Sequence, residues 1–191
     1  MRQGADRAAL KDRKDDLYET PECATLALLR TGELAGAGPI WEPCAGRGAI
    51  AGVLALHGFE VLAADLVPHL NAVSGIATGR DFLMEYRAAS NLIVTNPPFK
   101  LADEFIRHGL ALGCKFVALL RLMALEGAGR SDLIDEHLRR VWVGKERLPK
   151  FQREGWAGKR QASETAPFAW FVFEPGQRKG PIELTRISWR S

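Results

Sequence analysis

The residues best suited to chemistry are Asn96, Pro97, Pro98 and Phe99, which close an apolar run that begins at Asn91. A strand that ends in two prolines loses two backbone N–H donors and keeps its carbonyls, so its tip presents acceptors on a fixed backbone. The Asn96 side-chain oxygen and the Pro97 carbonyl together suit the two hydrogens of a planar amino group. Accepting both draws the nitrogen toward sp3 and readies its lone pair for attack. Phe99 supplies an aromatic face for the ring that bears such an amine. The alternative for the same four residues is a rigid turn with Phe99 packed in the core.

A second constellation, Glu42-Pro43-Cys44-Ala45-Gly46-Arg47-Gly48, follows a short apolar strand and opens an apolar helical stretch. Gly46 and Gly48 lack a Cβ, so the chain can turn sharply and a ligand can approach its backbone, while the N-terminus of the next helix favours negative charge. Roughly 20 residues further on, Asp65 ends the next strand, where doubly wound sheets hold ribose hydroxyls. Ala51 stands where a third glycine of a dinucleotide fingerprint would fall. Glu42 places an acid at the mouth of the strand, which repels pyrophosphate and attracts a cation. The pattern therefore fits a nucleoside with an amino group and a positive centre better than a dinucleotide, and an ordinary strand-to-helix turn remains the plain alternative.

These residues need strands to carry them and helices to space them. Pro39–Glu42, Glu60–Ala64, Asn91–Thr95 and Lys115–Leu120 read as strands, each bounded by glycine, proline or a polar turn. Pro21–Arg30 (with Thr20 as N-cap), Ala49–His57, Leu101–Leu112 and Asp132–Leu138 keep apolar residues at helical spacing. Such alternation builds a parallel sheet. Val141–Val143, Pro167–Glu174 and Ile182–Trp189 follow without helices between them, so the sheet is expected to finish antiparallel. Trp170, Phe171 and Phe173 read as core. The expected fold is α/β, a Rossmann-like, doubly wound, mostly parallel sheet with an antiparallel C-terminal strand pair, and residues 1–191 read as one domain. Residues 149–165 lack a clear period and read as a long loop, a length at which loops bind something or are loose insertions.

Composition excludes other classes. At 47% hydrophobic residues the chain is not wholly disordered, and 191 residues bury a core without disulfide staples. Cys23, Cys44 and Cys114 are odd in number and widely spaced, which suggests a reducing compartment and offers no zinc cluster. No uncharged stretch is long enough for a membrane helix, and the expected location is cytoplasmic. His57, His69, His108 and His137 are too dispersed for a metal site. The net charge of +3 is unevenly spread: residues 139–191 carry 12 Lys and Arg against 5 Asp and Glu. Such a basic end suits phosphates, or simply solubility.

Together these features resemble the class I S-adenosylmethionine-dependent methyltransferases, and among them the adenine-N6 amino-methyltransferases. Tyr18-Glu19-Thr20-Pro21 looks like the family's N-terminal motif, whose Thr-Pro segment lies against the methionine end of the cofactor. Glu42, Pro43, Cys44, Ala45, Gly46 and Gly48 look like its glycine loop, Asp65 like its ribose-binding acid, and Asp81-Phe82 like the pair flanking the cofactor's adenine. Asn96-Pro97-Pro98-Phe99 looks like its catalytic tetrapeptide, in the motif order of enzymes whose cofactor motifs come first. The resemblance implies S-adenosylmethionine as cofactor and in-line transfer to an exocyclic amine, with no covalent enzyme intermediate and no metal. It implies DNA as substrate in preference to RNA, with the target adenine flipped out of a duplex.

Sequence-specific members carry a separate target-recognition domain, for which this chain has no room, so little sequence specificity is expected. Nucleic-acid contact is assigned to Lys145, Arg147, Lys150, Arg153, Lys159 and Arg160, with Trp156 or Phe151 for stacking. An RNA adenine-N6 or protein glutamine methyltransferase, and a catalytically silent nucleic-acid-binding module, are the competing readings.

Overall fold

A computed structural model describes residues 18–149, 152–153, 166–177 and 179–190. Its strands are β1 (Tyr18–Glu19), β2 (Ile40–Glu42), β3 (Val61–Asp65), β4 (Ala77–Thr78), β5 (Leu92–Thr95), β6 (Lys115–Arg121), β7 (Leu138–Gly144), β8 (Gln152–Arg153), β9 (Phe168–Phe173) and β10 (Glu183–Ile187). Its helices are α1 (Glu22–Arg30), α2 (Ala49–Leu56) and α3 (Ala102–Ala111). Eight strands form one sheet in the order β10-β7-β9-β6-β5-β2-β3-β4, and β1 pairs antiparallel with β8 in a small second sheet.

From β4 through β3, β2 and β5 to β6 every neighbouring pair is parallel. The expected antiparallel finish is present in a particular form. Strand β9 runs against both β6 and β7, inserted between them, and β10 then lies parallel to β7 at the edge. All six β9 residues are buried, as a strand covered on both faces requires.

Side chains alternate along the central strands and build two cores, one on each face of the sheet. Phe116, Ala118, Phe171 and Phe173 pack on α3 through Phe105, Ile106 and Leu110. Val117, Leu119, Trp170 and Val172 pack on α1 and α2 through Ala24, Leu28, Ile50 and Leu54. The Trp170 indole N–H donates to the Ala24 carbonyl at 2.9 Å, so the largest buried side chain also fixes α1. Because α2 follows β2 on one face and α3 follows β5 on the other, the crossovers leave the sheet in opposite directions.

Two of the expected helices differ most. Helix α1 begins one residue later than a Thr20 cap would give: Pro21 holds the N-cap position with no side-chain hydrogen bond. The stretch Asp132–Leu138 forms a single π-type turn over Leu133–His137, after which Leu138 enters β7 opposite Phe173. Leu138 is fully buried there, and strand pairing overrides its helical spacing. The two-residue β4 was not expected, since both residues are exposed and carry no alternation. Of the expected 149–165 loop, Gln152 and Arg153 form β8, while 150–151 and 154–165 lie outside the described residues.

At the opposite end of the sheet from the C-terminal strand tips, Glu33 ties three elements together. Its side chain is 5% exposed and accepts from Lys115 Nζ at 2.6 Å, Arg140 at 2.8 Å and the Trp142 indole at 3.1 Å. These donors hold its carboxyl below the ordinary glutamate range against the opposing effect of burial. A depressed carboxyl stabilises the fold above its unfolded-state value and loses that contribution as the pH falls through its folded value. Glu33→Gln is therefore expected to cost about 1–3 kcal/mol at pH 7. In urea titrations the gap from wild type should narrow steadily as the pH falls below the glutamate range.

Candidate active site

Strands β2 and β5 are parallel neighbours, with Ile40 opposite Leu92 and Trp41 opposite Ile93. Their C-terminal tips lie side by side while the following helices depart to opposite faces. This is the switch point, the place where open α/β sheets bind ligands. The loop 43–48 and the tetrapeptide 96–99 form its two walls.

The first wall is a backbone cradle held by Asp65. Its Oδ2 accepts the Gly46 N–H at 2.8 Å and its Oδ1 accepts the Val67 N–H at 2.9 Å, with His69 Nε2 3.5 Å away. Asp65 thus shapes the loop itself. Gly46 and Gly48 have φ of +58° and +88°, which side-chain-bearing residues rarely adopt. A Cβ on Gly48 would also collide with the Val73 side chain, so close packing, not ligand approach, demands glycine at that position. Below the cradle Glu42 is 2% exposed, with Oε2 lacking any hydrogen-bond partner. Burial pushes its carboxyl well above the ordinary range, and the neighbouring charge of Asp65 adds to the effect, opposed by the Ala51 N–H.

The second wall is tied to the first by Cys44. Its Sγ lies 2.8 Å from Thr95 Oγ1 and donates to the Asn96 carbonyl at 3.6 Å. Burial pushes the thiol well up, reinforced by Asp65 and Glu42, so Cys44 stays protonated as a donor. The helix N-terminus does not activate it. Pro98 turns the chain into a 3-10 turn over Phe99–Leu101, and the Leu101 N–H donates to the Pro98 carbonyl at 2.9 Å. The Asn96 amide Nδ2 donates to Thr20 Oγ1 at 3.2 Å, which leaves Oδ1 as the end suited to accept from a ligand. The half-buried Phe99 ring lies 4.9 Å from the Arg121 guanidinium and 6.1 Å from the Phe168 ring. Beyond Arg121 a cleft of about 390 Å³ opens, walled by Leu122, Met123 and Pro167 among others.

Thr20, Pro21, Glu42–Gly46, Gly48, Asp65 and Asn96–Phe99 therefore converge at one end of the sheet. Asp81 caps a short turn by accepting the Leu83 N–H at 3.2 Å, whereas Phe82 is 2% exposed and packs edge-on against Trp41 and His108. The Phe82 ring faces the core and does not point toward the glycine cradle. Lys145 and Arg147 are exposed just past β7, at the same end of the sheet as Asn96. Lys150, Phe151, Trp156, Lys159 and Arg160 lie outside the described residues, and Tyr18 and Arg153 are described by backbone pairing alone. Three contributors were missed from sequence: Arg121 over Phe99, Thr95 under Cys44, and the 3.1 Å ion pair of Glu19 with Arg47 that ties β1 to the cradle. Only Arg121 left a signal, as an arginine at a strand's C-terminal end.

A buried carboxyl with an unpartnered oxygen, two acceptors at a proline-capped tip and a glycine cradle fit a cationic, amine-bearing nucleoside. Among the described residues no group of three or more His, Cys, Asp or Glu could hold a metal ion.

No family model matches the chain, and no curated protein sequence does. Solved structures do match in fold. A Listeria monocytogenes protein assigned as a class I S-adenosylmethionine-dependent methyltransferase aligns with TM-score 0.62 and 15% identity, over 90% of this chain and 67% of that one. A Pyrococcus horikoshii protein assigned as an RNA methyltransferase aligns with TM-score 0.57 and 17% identity, over 86% and 89%. The methyltransferase subunit of a type I restriction-modification system from Streptococcus thermophilus aligns with TM-score 0.54 and 13% identity. That match covers 93% of this chain and 49% of the subunit, so the chain spans about half the subunit's length. The fold is the Rossmann-like α/β fold of these proteins.

Glu42 yields a prediction whose sign follows from its raised carboxyl. Burial favours the protonated form of Glu42 in the fold, so stability declines as the pH rises above the ordinary glutamate range. Glu42→Gln should match wild type near pH 4 and unfold at a higher temperature at pH 8. In calorimetric titration the same variant should bind S-adenosylmethionine about tenfold more weakly, because a glutamine has no proton to release and cannot become the anion that a cationic ligand draws from Glu42.

Proposed function

We propose that the chain transfers a methyl group from S-adenosylmethionine to the exocyclic N6 amine of adenine in DNA, with little sequence specificity. The observation that carries this reading is the placement of Asn96. Its amide is held by Nδ2 at the tip of β5, beside the glycine cradle, with the acceptor-only Pro97 next in the chain. When bound, S-adenosylmethionine supplies a methyl carbon on a positively charged sulfur, open to in-line attack by the amine's lone pair.

The chain's own residues supply position and electrostatics, the larger part of catalysis in such transfers. Asp65 and the backbone of 44–48 hold the nucleoside part. Glu42, whose burial favours the protonated form in the free chain, would give up its proton to face a cationic ligand, and Asn96 Oδ1 with the Pro97 carbonyl accepts both amine hydrogens. Phe99 stacks on the adenine, partly offsetting the few kcal/mol that flipping a base from a duplex costs. Arg121, already over the Phe99 ring, brings positive charge to the entrance where a flipped nucleotide carries its phosphate. Exposed Lys145 and Arg147 extend that charge across the same end of the sheet. The restriction-modification methyltransferase subunit among the structural neighbours is in keeping with DNA.

Incubation with S-adenosylmethionine labelled in its methyl group tests the proposal, using double-stranded DNA, single-stranded DNA, RNA and a protein extract in separate reactions. Mass spectrometry of the digests should find labelled N6-methyladenine in DNA, spread over many sequence contexts. Label in RNA adenine or in glutamine would transfer the same site to another acceptor, and cofactor binding with no label in any pool would favour a silent module.

A further inference from the structure

We propose that Thr20 is a positioning residue for Asn96, holding its amide by the nitrogen end so that Oδ1 meets the acceptor amine. This rests on the reading of Asn96 given above. The two ends of an asparagine amide have nearly the same shape and opposite hydrogen-bonding character. Turned the wrong way, the amide would set its own N–H groups against those of the incoming amine. The 3.2 Å hydrogen bond from Asn96 Nδ2 to Thr20 Oγ1 fixes the place of the amide, and an acceptor amine, which offers it only N–H groups, selects Oδ1 as the end that faces it.

Thr20 is itself well anchored. It is 6% exposed, and Pro21 after it confines its backbone to extended conformations. Before it, Glu19 pairs with Arg47 of the cradle and belongs to β1, which pairs with β8. Helix α1 takes no side-chain cap, so the hydroxyl is not spent on the helix that follows. Cys44 grips the Asn96 backbone carbonyl from the other side. Asn96 is thus held at its backbone by the cradle and at its side chain by the N-terminal segment.

The test compares Thr20→Val, Thr20→Ala and Thr20→Ser with wild type in single-turnover methyl transfer to adenine-containing DNA, with S-adenosylmethionine affinity measured separately by calorimetry. Loss of a preorganising contact at the reacting centre should slow transfer at saturation by roughly 10- to 100-fold in Thr20→Val and Thr20→Ala. The KM for DNA and the cofactor dissociation constant should stay within about threefold, and Thr20→Ser should recover most of the rate. Should Thr20→Val fail to fold, the alanine and serine variants decide alone, since they differ by one oxygen. Equal rates for those two would overturn the proposal. So would a loss seen only as weaker cofactor binding, which would give Thr20 to the cofactor's methionine end. A wild-type protein that methylates no amino acceptor would overturn the underlying reading of Asn96 instead, which separates the two failures.

Discussion

Everything at this site depends on one backbone constraint: β2 and β5 run parallel and side by side, and their connections must leave on opposite faces of the sheet. A parallel strand cannot turn straight back into its neighbour, so each tip continues into a loop and then a helix. With α2 on one face and α3 on the other, the two loops diverge and the crevice between them cannot be filled by either crossover. The Ile40–Leu92 and Trp41–Ile93 register then sets Glu42 level with Val94, one residue short of Thr95. Cys44 spans the gap between the loops because of that register.

The polar groups gathered there are costly to bury, and the way they are satisfied indicates what is missing. Thr95 has Cys44, and Asp65 has the N–H groups of Gly46 and Val67. Glu42 has the Ala51 N–H and an oxygen with no hydrogen-bond partner. A buried acid with an unpartnered oxygen costs stability, which a ligand supplying the missing partner would offset. The apolar cores on both faces of the sheet supply the stability that carries this strained corner.

The glycine loop, Asp65 and the Asn-Pro-Pro-Phe tip were legible because each breaks the apolar pattern at a strand end, where short-range sequence fixes local geometry. The β2, β3, β5 and β6 runs were legible for the same reason. What sequence could not give is long-range pairing. Nothing near Phe168–Phe173 says that β9 inserts between β6 and β7, and nothing near Leu138 says that Phe173 will draw it into a strand. Thr20 next to Pro21 looks like a helix cap by local rules, and only the fold brings it to Asn96, 76 positions away. Phe82 pairs with Asp81 in sequence, yet its ring turns to Trp41 because the core beneath is open to it.

We propose a division of labour in which the cradle and Asp65 hold the cofactor and Asn96 acts only on the acceptor. Calorimetric titration of S-adenosylmethionine into Asn96→Ala and Asp65→Ala tests it most directly. The account predicts a dissociation constant within about threefold of wild type for Asn96→Ala and at least about tenfold weaker binding for Asp65→Ala, the worth of a charge-assisted contact. Equal losses of binding in the two variants would contradict it, since the walls of the crevice would then act as one unit and Asn96 would have no separate task.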